Sequence, residues 1–107
     1  MAVEWRDDTR ADGTPTRTIV VSSSSDWSLF DRIARDLAKS LGGTWVAGLD
    51  GVDERYWDLD ARAGRITLHL QHYLGISACI ASGRDGDAAS RALLDEVFDR
   101  LRCYDPA

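Results

Sequence analysis

Two runs of alternating apolar and polar residues, at positions 55–60 and 65–71, constrain the fold of this chain more than any other feature. Successive side chains of a β-strand point to opposite faces, so the alternation predicts two strands that each have one buried face. The segment between them ends in Ala63-Gly64, a pair that favours a tight turn. The sequence therefore predicts an antiparallel hairpin with one apolar face and one polar face.

The register of this hairpin decides which polar side chains become neighbours. A two-residue loop at Ala63-Gly64 places Asp58 opposite His69, whereas a four-residue loop places Tyr56 opposite His69. Both loops bury the same apolar residues, which are Trp57, Leu59, Ile66, Leu68 and Leu70. Both also give the same polar outer face, formed by Tyr56, Asp58, Asp60, Thr67, His69 and Gln71.

Apolar periodicity predicts three more strands and two helices along the chain. The strands are residues 17–22, 44–49 and 76–81. The first helix begins within residues 22–26 and ends at Leu41, and the second spans residues 88–102. The resulting order is strand, helix, four strands, helix. This order predicts an α+β fold with a mainly antiparallel sheet, two helices packed on one face, and Leu37 and Leu94 in the core.

The length and composition of the chain fit one folded domain. Its 107 residues are 44% hydrophobic and 29% charged, and we assign residues 17–104 to a single α+β domain. Residues 1–16 contain few apolar anchors and are expected to form a loosely ordered arm with at most one short strand. No apolar run approaches the roughly 20 residues that span a bilayer, so we expect a cytoplasmic protein with no membrane contact.

The charge of the chain restricts its partners. Eighteen acidic residues against thirteen basic ones give a formal net charge of -5, and the basic residues are scattered along the sequence. Such a field repels nucleic acid, whereas it attracts a basic protein. We therefore expect a protein partner, and expect it to be basic.

Trp45 decides whether the outer face carries an aromatic pair. An even loop around Asp50-Gly51 places Trp45 on the outer face beside Tyr56, whereas an odd loop buries it, and we adopt the even loop. Aromatic rings surrounded by hydrogen-bonding groups are typical of a protein-binding surface, although a merely solvated sheet face has a similar composition. The candidate binding residues are Trp45, Tyr56, Asp58, Asp60, His69 and Gln71.

The sequence contains no specific catalytic, metal or cofactor signature. Asp58 beside His69 has the composition of a carboxylate that orients a general base, but no nucleophile can be placed next to the pair. Cys79 and Cys103 lack ligand spacing, and we interpret both as free thiols. We therefore expect no metal and no cofactor, and favour a non-enzymatic role.

Three segments carry a resemblance to known proteins: residues 53–59 (DERYWDL), 66–70 (ITLHL) and 74–76 (LGI). They resemble the central strands of small bacterial domains of unknown function. In size, acidity and layout the chain is also similar to immunity proteins that neutralise polymorphic toxins. The resemblance implies an intracellular, non-enzymatic domain and assigns no functional residue.

Two hypotheses for function follow. The first is a cytoplasmic protein-binding domain, of which an immunity-type inhibitor of a basic protein is one form. The alternative is a homodimeric domain that binds a small molecule, or performs catalysis, at Asp58 and His69 on the outer sheet face.

Overall fold

A computed structural model describes residues 1–105 as one six-stranded sheet and two helices. The elements are β1 (Glu4–Thr9), β2 (Pro15–Ser22), α1 (Trp27–Leu41), β3 (Thr44–Asp50), β4 (Glu54–Ala61), β5 (Gly64–Gln71), β6 (Gly75–Ile80) and α2 (Ala88–Arg102). The strand order is β1-β2-β6-β5-β4-β3, and every neighbouring pair is antiparallel. The predicted α+β fold is confirmed.

Both helices cover the same face of the sheet, and the core lies between them and the strands. The apolar residues of the β4–β5 hairpin point into this core, as the alternation predicts, and Leu59, Ile66 and Leu68 are fully buried. From the helices, Leu37 is 0% exposed and Leu94 is 2% exposed, which confirms their predicted place. The opposite face of the sheet has no helix on it and is the outer face of this protein.

The N-terminal segment differs from the loosely ordered arm expected over residues 1–16. Glu4–Thr9 forms edge strand β1, paired along its length with β2. Trp5 stacks on Phe98 of α2 with ring centroids 4.7 Å apart, and the Arg17 guanidinium lies 4.1 Å from the Trp5 ring centroid. One well-placed aromatic ring thus anchors a segment of low apolar content.

The β4–β5 turn lies one residue earlier than predicted. Arg62 and Ala63, both with positive φ (53° and 63°), form the two-residue turn, and Gly64 already pairs with Ala61 in the sheet. Gly64 is needed for a different reason, because a Cβ there would lie 2.7 Å from the Ala89 carbonyl oxygen of α2. The glycine therefore allows α2 to approach β5 closely.

This turn selects the second of the two expected registers. Tyr56 lies opposite His69, and Asp58 lies opposite Thr67. The prediction that Asp58 faces His69 is therefore wrong by two residues, although the assignment of residues to the two faces is correct.

Arg55 joins the sheet to α1 from within the helix-covered face. The residue is only 6% exposed, and its guanidinium donates hydrogen bonds to Asp31 in α1 (2.8 Å) and Asp50 in β3 (3.1 Å). Three aromatic rings, those of Trp27, Phe30 and Trp57, surround it at 4.6, 4.7 and 4.4 Å. The carboxylates and ring faces together compensate the loss of water around this buried cation.

Replacing Arg55 by Lys should lower the free energy of unfolding by about 2 kcal/mol. A planar guanidinium group can donate to two carboxylates and also stack on aromatic rings, whereas the ammonium group of lysine cannot do both. Urea unfolding followed by circular dichroism measures this loss. The matched control is Arg32→Lys at an exposed position of α1, which should change stability little. Equal stability of the Arg55→Lys variant and the wild type would contradict the role assigned to this residue.

Candidate functional site

The outer face carries most of the predicted binding residues. Those that lie on it as expected are Tyr56, Asp58, Asp60, His69 and Gln71. Trp45 does not: it pairs with Leu59, and its indole Nε1 donates to the Ala34 carbonyl of α1 at 3.0 Å. The predicted aromatic pair of Trp45 and Tyr56 on one face is therefore wrong.

A bulge in β3 explains the position of Trp45. From Ala47 to Asp50 the strand pairs with β4 in the even-loop register that we predicted, with Leu49 opposite Tyr56. The register shifts between Trp45 and Ala47, so that Val46 is the extra residue. The shift turns Trp45 to the helix-covered face, where its ring meets Trp57 edge-on at 5.8 Å.

Tyr56 and His69 form a stacked pair in the middle of the outer face. Their ring centroids are 4.0 Å apart and their planes differ by 12°. His69 Nε2 is buried without a hydrogen-bond partner, and the nearest carboxylate oxygen, Glu54 Oε1, is 3.9 Å away. Burial lowers the pKa of His69, and the Glu54 carboxylate opposes this effect in part. The imidazole is therefore neutral at pH 7.

The carboxylates of the outer face have partners other than His69. Asp58 accepts a hydrogen bond of 2.6 Å from the Thr67 hydroxyl, and Asp60 accepts two from Arg65 at 2.8 and 3.1 Å. Burial raises the pKa of the nearby Cys79 thiol, so that it is protonated at neutral pH. Among the described residues, the outer face offers neither the orienting Asp58–His69 hydrogen bond nor an activated Cys79 thiol.

A cavity of about 330 Å³, here called the sheet cavity, lies on this face. Its floor is formed by Tyr56, Asp58, Arg65, Thr67, His69 and Cys79, and its walls are Arg10, Ser82 and Arg84. Arg10 belongs to the turn after β1, and Ser82 and Arg84 belong to the loop between β6 and α2. Sequence reasoning missed these wall residues, because no local pattern shows that two distant turns meet above the sheet.

A second feature, here called the tip surface, consists of Leu49, Val52, Tyr73 and Leu74 at the end of the sheet where the β3–β4 and β5–β6 turns meet. Val52 is 98% exposed and Tyr73 is 87% exposed. The two turns are joined by a hydrogen bond from His72 N to the Asp53 carbonyl at 3.0 Å, and Val52 and Tyr73 line one shallow depression. Exposed apolar side chains concentrated in one place are typical of a binding surface.

Acidic groups lie beside the tip surface. Asp53 and Glu54 lie in or beside the β3–β4 turn, whereas the next basic residue, Arg55, is directed into the helix-covered face. Asp50 is directed to the same side as Arg55, where hydrogen bonds from Trp57 and from Arg55 lower the pKa of its carboxyl group. The negative rim of the tip surface therefore consists of Asp53 and Glu54.

The His69 environment predicts that acidification destabilises the protein. The pKa is lower in the folded state, so below about 6.5 the unfolded chain binds a proton more readily, and the free energy of unfolding falls. Urea unfolding at several pH values between about 7.5 and 5.5 measures this slope. We expect a shallower slope in His69→Gln than in the wild type. Identical slopes in wild type and His69→Gln would refute the assignment.

The described residues provide neither a membrane-spanning helix nor a cluster of metal ligands. Neither helix of the described chain is long and apolar enough to cross a membrane. Within residues 1–105, no group of three or more His, Cys, Asp and Glu side chains is arranged to hold a metal ion.

Comparison with known proteins gives one match. The model of the family described as "Protein of unknown function (DUF3630)" matches residues 11–95, from the turn after β1 to the middle of α2, and the chain belongs to this family. No curated protein and no solved structure matches the chain significantly. The expected likeness to a family of unknown function is thus confirmed, and this match carries no link to immunity proteins.

Proposed function

We propose that this member of the DUF3630 family is a non-enzymatic protein-binding domain that contacts a basic partner through the tip surface. The observation that carries the proposal is the exposure of Leu49, Val52, Tyr73 and Leu74, between 65% and 98%, at one end of the sheet, where Val52 and Tyr73 line one depression. A monomeric protein gains nothing in stability from side chains held in water at a turn. Their grouping supports a role in contact with another molecule.

The composition of the tip surface matches the anatomy of a protein interface. Tyr73 is a rigid aromatic side chain of the kind that dominates binding energy, and Val52 lies beside it in the same depression. The carboxylates of Asp53 and Glu54 would form the polar rim. Because the rim and the whole chain are negative, a positively charged partner surface would be steered towards it.

An inhibitor of the immunity type is one specific form of this proposal. Such a protein would cover a basic surface of a toxin. The net charge of -5 would raise the rate at which the inhibitor associates with that toxin. The general proposal, a tip surface that binds a basic protein, does not depend on this form.

The double substitution Val52→Ser and Tyr73→Ser should abolish capture of a basic protein from a lysate of the native host. Both side chains are exposed, so the melting temperature should change little, whereas affinity for the purified partner should fall at least about tenfold. The matched control is Val46→Ser, which removes an apolar side chain 47% exposed on β3 outside the tip surface. Association of the wild type should also slow as salt is raised.

Two results would contradict the proposal. One is a partner that the double variant still captures with full affinity, since the tip surface would then be irrelevant to binding. The other is a concentration-dependent dimer that the double variant loses, because the tip surface would then join two copies of this chain.

A further inference from the structure

The sheet cavity collects guanidinium groups. Three of the thirteen basic residues of this acidic chain, Arg10, Arg65 and Arg84, line one cavity, and Asp58 is the one acidic residue that lines it. Aspartates outside the cavity balance the charge of these arginines, so the cavity is distinguished by its converging N–H donors and not by a net positive charge. The proposed protein-binding function, which uses the tip surface, does not explain it.

Each of the three arginines is paired with an aspartate that does not line the cavity. The closest contacts are 2.9 Å for Arg10–Asp85, 2.8 Å for Arg65–Asp60 and 3.5 Å for Arg84–Asp87. Hydrogen-bonded pairs reduce the side-chain freedom that a ligand would otherwise have to restrict. Arg10 and Arg65 are therefore already oriented before anything binds.

These pairs use only part of each guanidinium group. Asp60 accepts from Nε and Nη2 of Arg65, and Nη1 lies outside this pair. In Arg10, Nε donates to Asp85 and Nη2 to the Ile80 carbonyl, and Nη1 is again outside these bonds. Guanidinium N–H groups are the preferred donors to carboxylate and phosphate oxygens.

Residues of the cavity floor add two further features. Asp58 supplies a hydrogen-bond acceptor, and Tyr56 and His69 supply aromatic ring surface. One oxygen of Asp58, Oδ1, accepts from Thr67, and Oδ2 lies outside this bond. A carboxylate in this position favours a ligand that presents an ammonium or hydroxyl group. The stacked rings of Tyr56 and His69 supply a planar surface beside it.

We propose that the sheet cavity binds a small molecule that carries an oxyanion, a carboxylate or phosphate, together with an ammonium or hydroxyl donor. Arg65, Arg84 and Arg10 contact the oxyanion, and Asp58 accepts from the donor. A volume of about 330 Å³ matches the lower end of the range for small-molecule sites.

Titrations of the intact protein followed by amide NMR test this proposal with two matched pairs of probes. Inorganic phosphate is compared with O-phosphoethanolamine, and acetate is compared with glycine, at constant ionic strength. In at least one pair we expect saturable shifts at Thr67 and His69, and several-fold tighter binding of the probe with the ammonium group. The pair that responds identifies the oxyanion.

Three variants assign the contacts. Arg84→Gln should weaken both probes of the responding pair about tenfold, and Arg65→Gln should do the same. Asp58→Asn should abolish the preference for the ammonium-bearing probe while keeping an acceptor for Thr67. The control is Arg32→Gln at an exposed position of α1. This substitution removes the same charge far from the cavity and should leave the affinities for both probes unchanged.

Three outcomes would overturn the proposal. They are no saturable shift with any probe, equal affinities within both pairs, and affinities unaffected by Arg84→Gln and Arg65→Gln. If Arg65→Gln does not fold, Arg84→Gln decides, because its ion pair with Asp87 is the longest of the three. The Val52→Ser, Tyr73→Ser variant should bind the probes normally, so failure of this proposal is distinguishable from failure of the proposed function.

Discussion

Burial of one sheet face beneath both helices is the constraint on which the rest of this structure depends. The apolar residues of β4 and β5 can leave water only if a helix covers them, and α1 and α2 both lie on that side. Two details make the close contact feasible. Gly64 leaves room for the backbone of α2, and Arg55 connects β4 to α1 through carboxylates and aromatic rings. Burial of the Arg55 guanidinium is costly in isolation, because a buried cation loses its hydration. The carboxylates and aromatic rings around it compensate that loss.

The same constraint leaves the outer face free for other chemistry. Because no helix lies on it, its side chains need only satisfy one another or solvent, and they are polar, aromatic and charged. The sheet cavity and the tip surface both result, but they differ in kind. The cavity is lined by arginines paired with aspartates behind them, whereas the tip surface consists of exposed apolar side chains with an acidic rim. Converging guanidinium N–H groups favour an oxyanion at the cavity, and apolar side chains beside carboxylates favour a basic protein at the tip surface.

Local pattern predicted the elements well and their details less well. The alternation in β4 and β5 determines which residues share a face, and Asp58, Thr67 and His69 lie on the outer face as expected. Two local irregularities, the position of the β4–β5 turn and the bulge in β3, could not be predicted from this alternation. The turn uses Arg62 and Ala63 although glycine is the better residue for positive φ, because Gly64 is required against α2. The bulge at Val46 reverses the direction of Trp45, because the indole gains a hydrogen bond and packing against α1.

The α+β class, the strands of the central hairpin and their buried face could be predicted from the sequence, since these depend on the spacing of apolar residues along a short stretch of chain. The position of Arg10 and Arg84 above Tyr56 and His69, and that of Val52 beside Tyr73, came from the three-dimensional arrangement alone. Arg10, Arg84, Val52 and Tyr73 lie in turns and loops, whose positions follow from how strands order themselves in the sheet. Contacts between turns depend on that order, and periodicity along the chain carries no information about it.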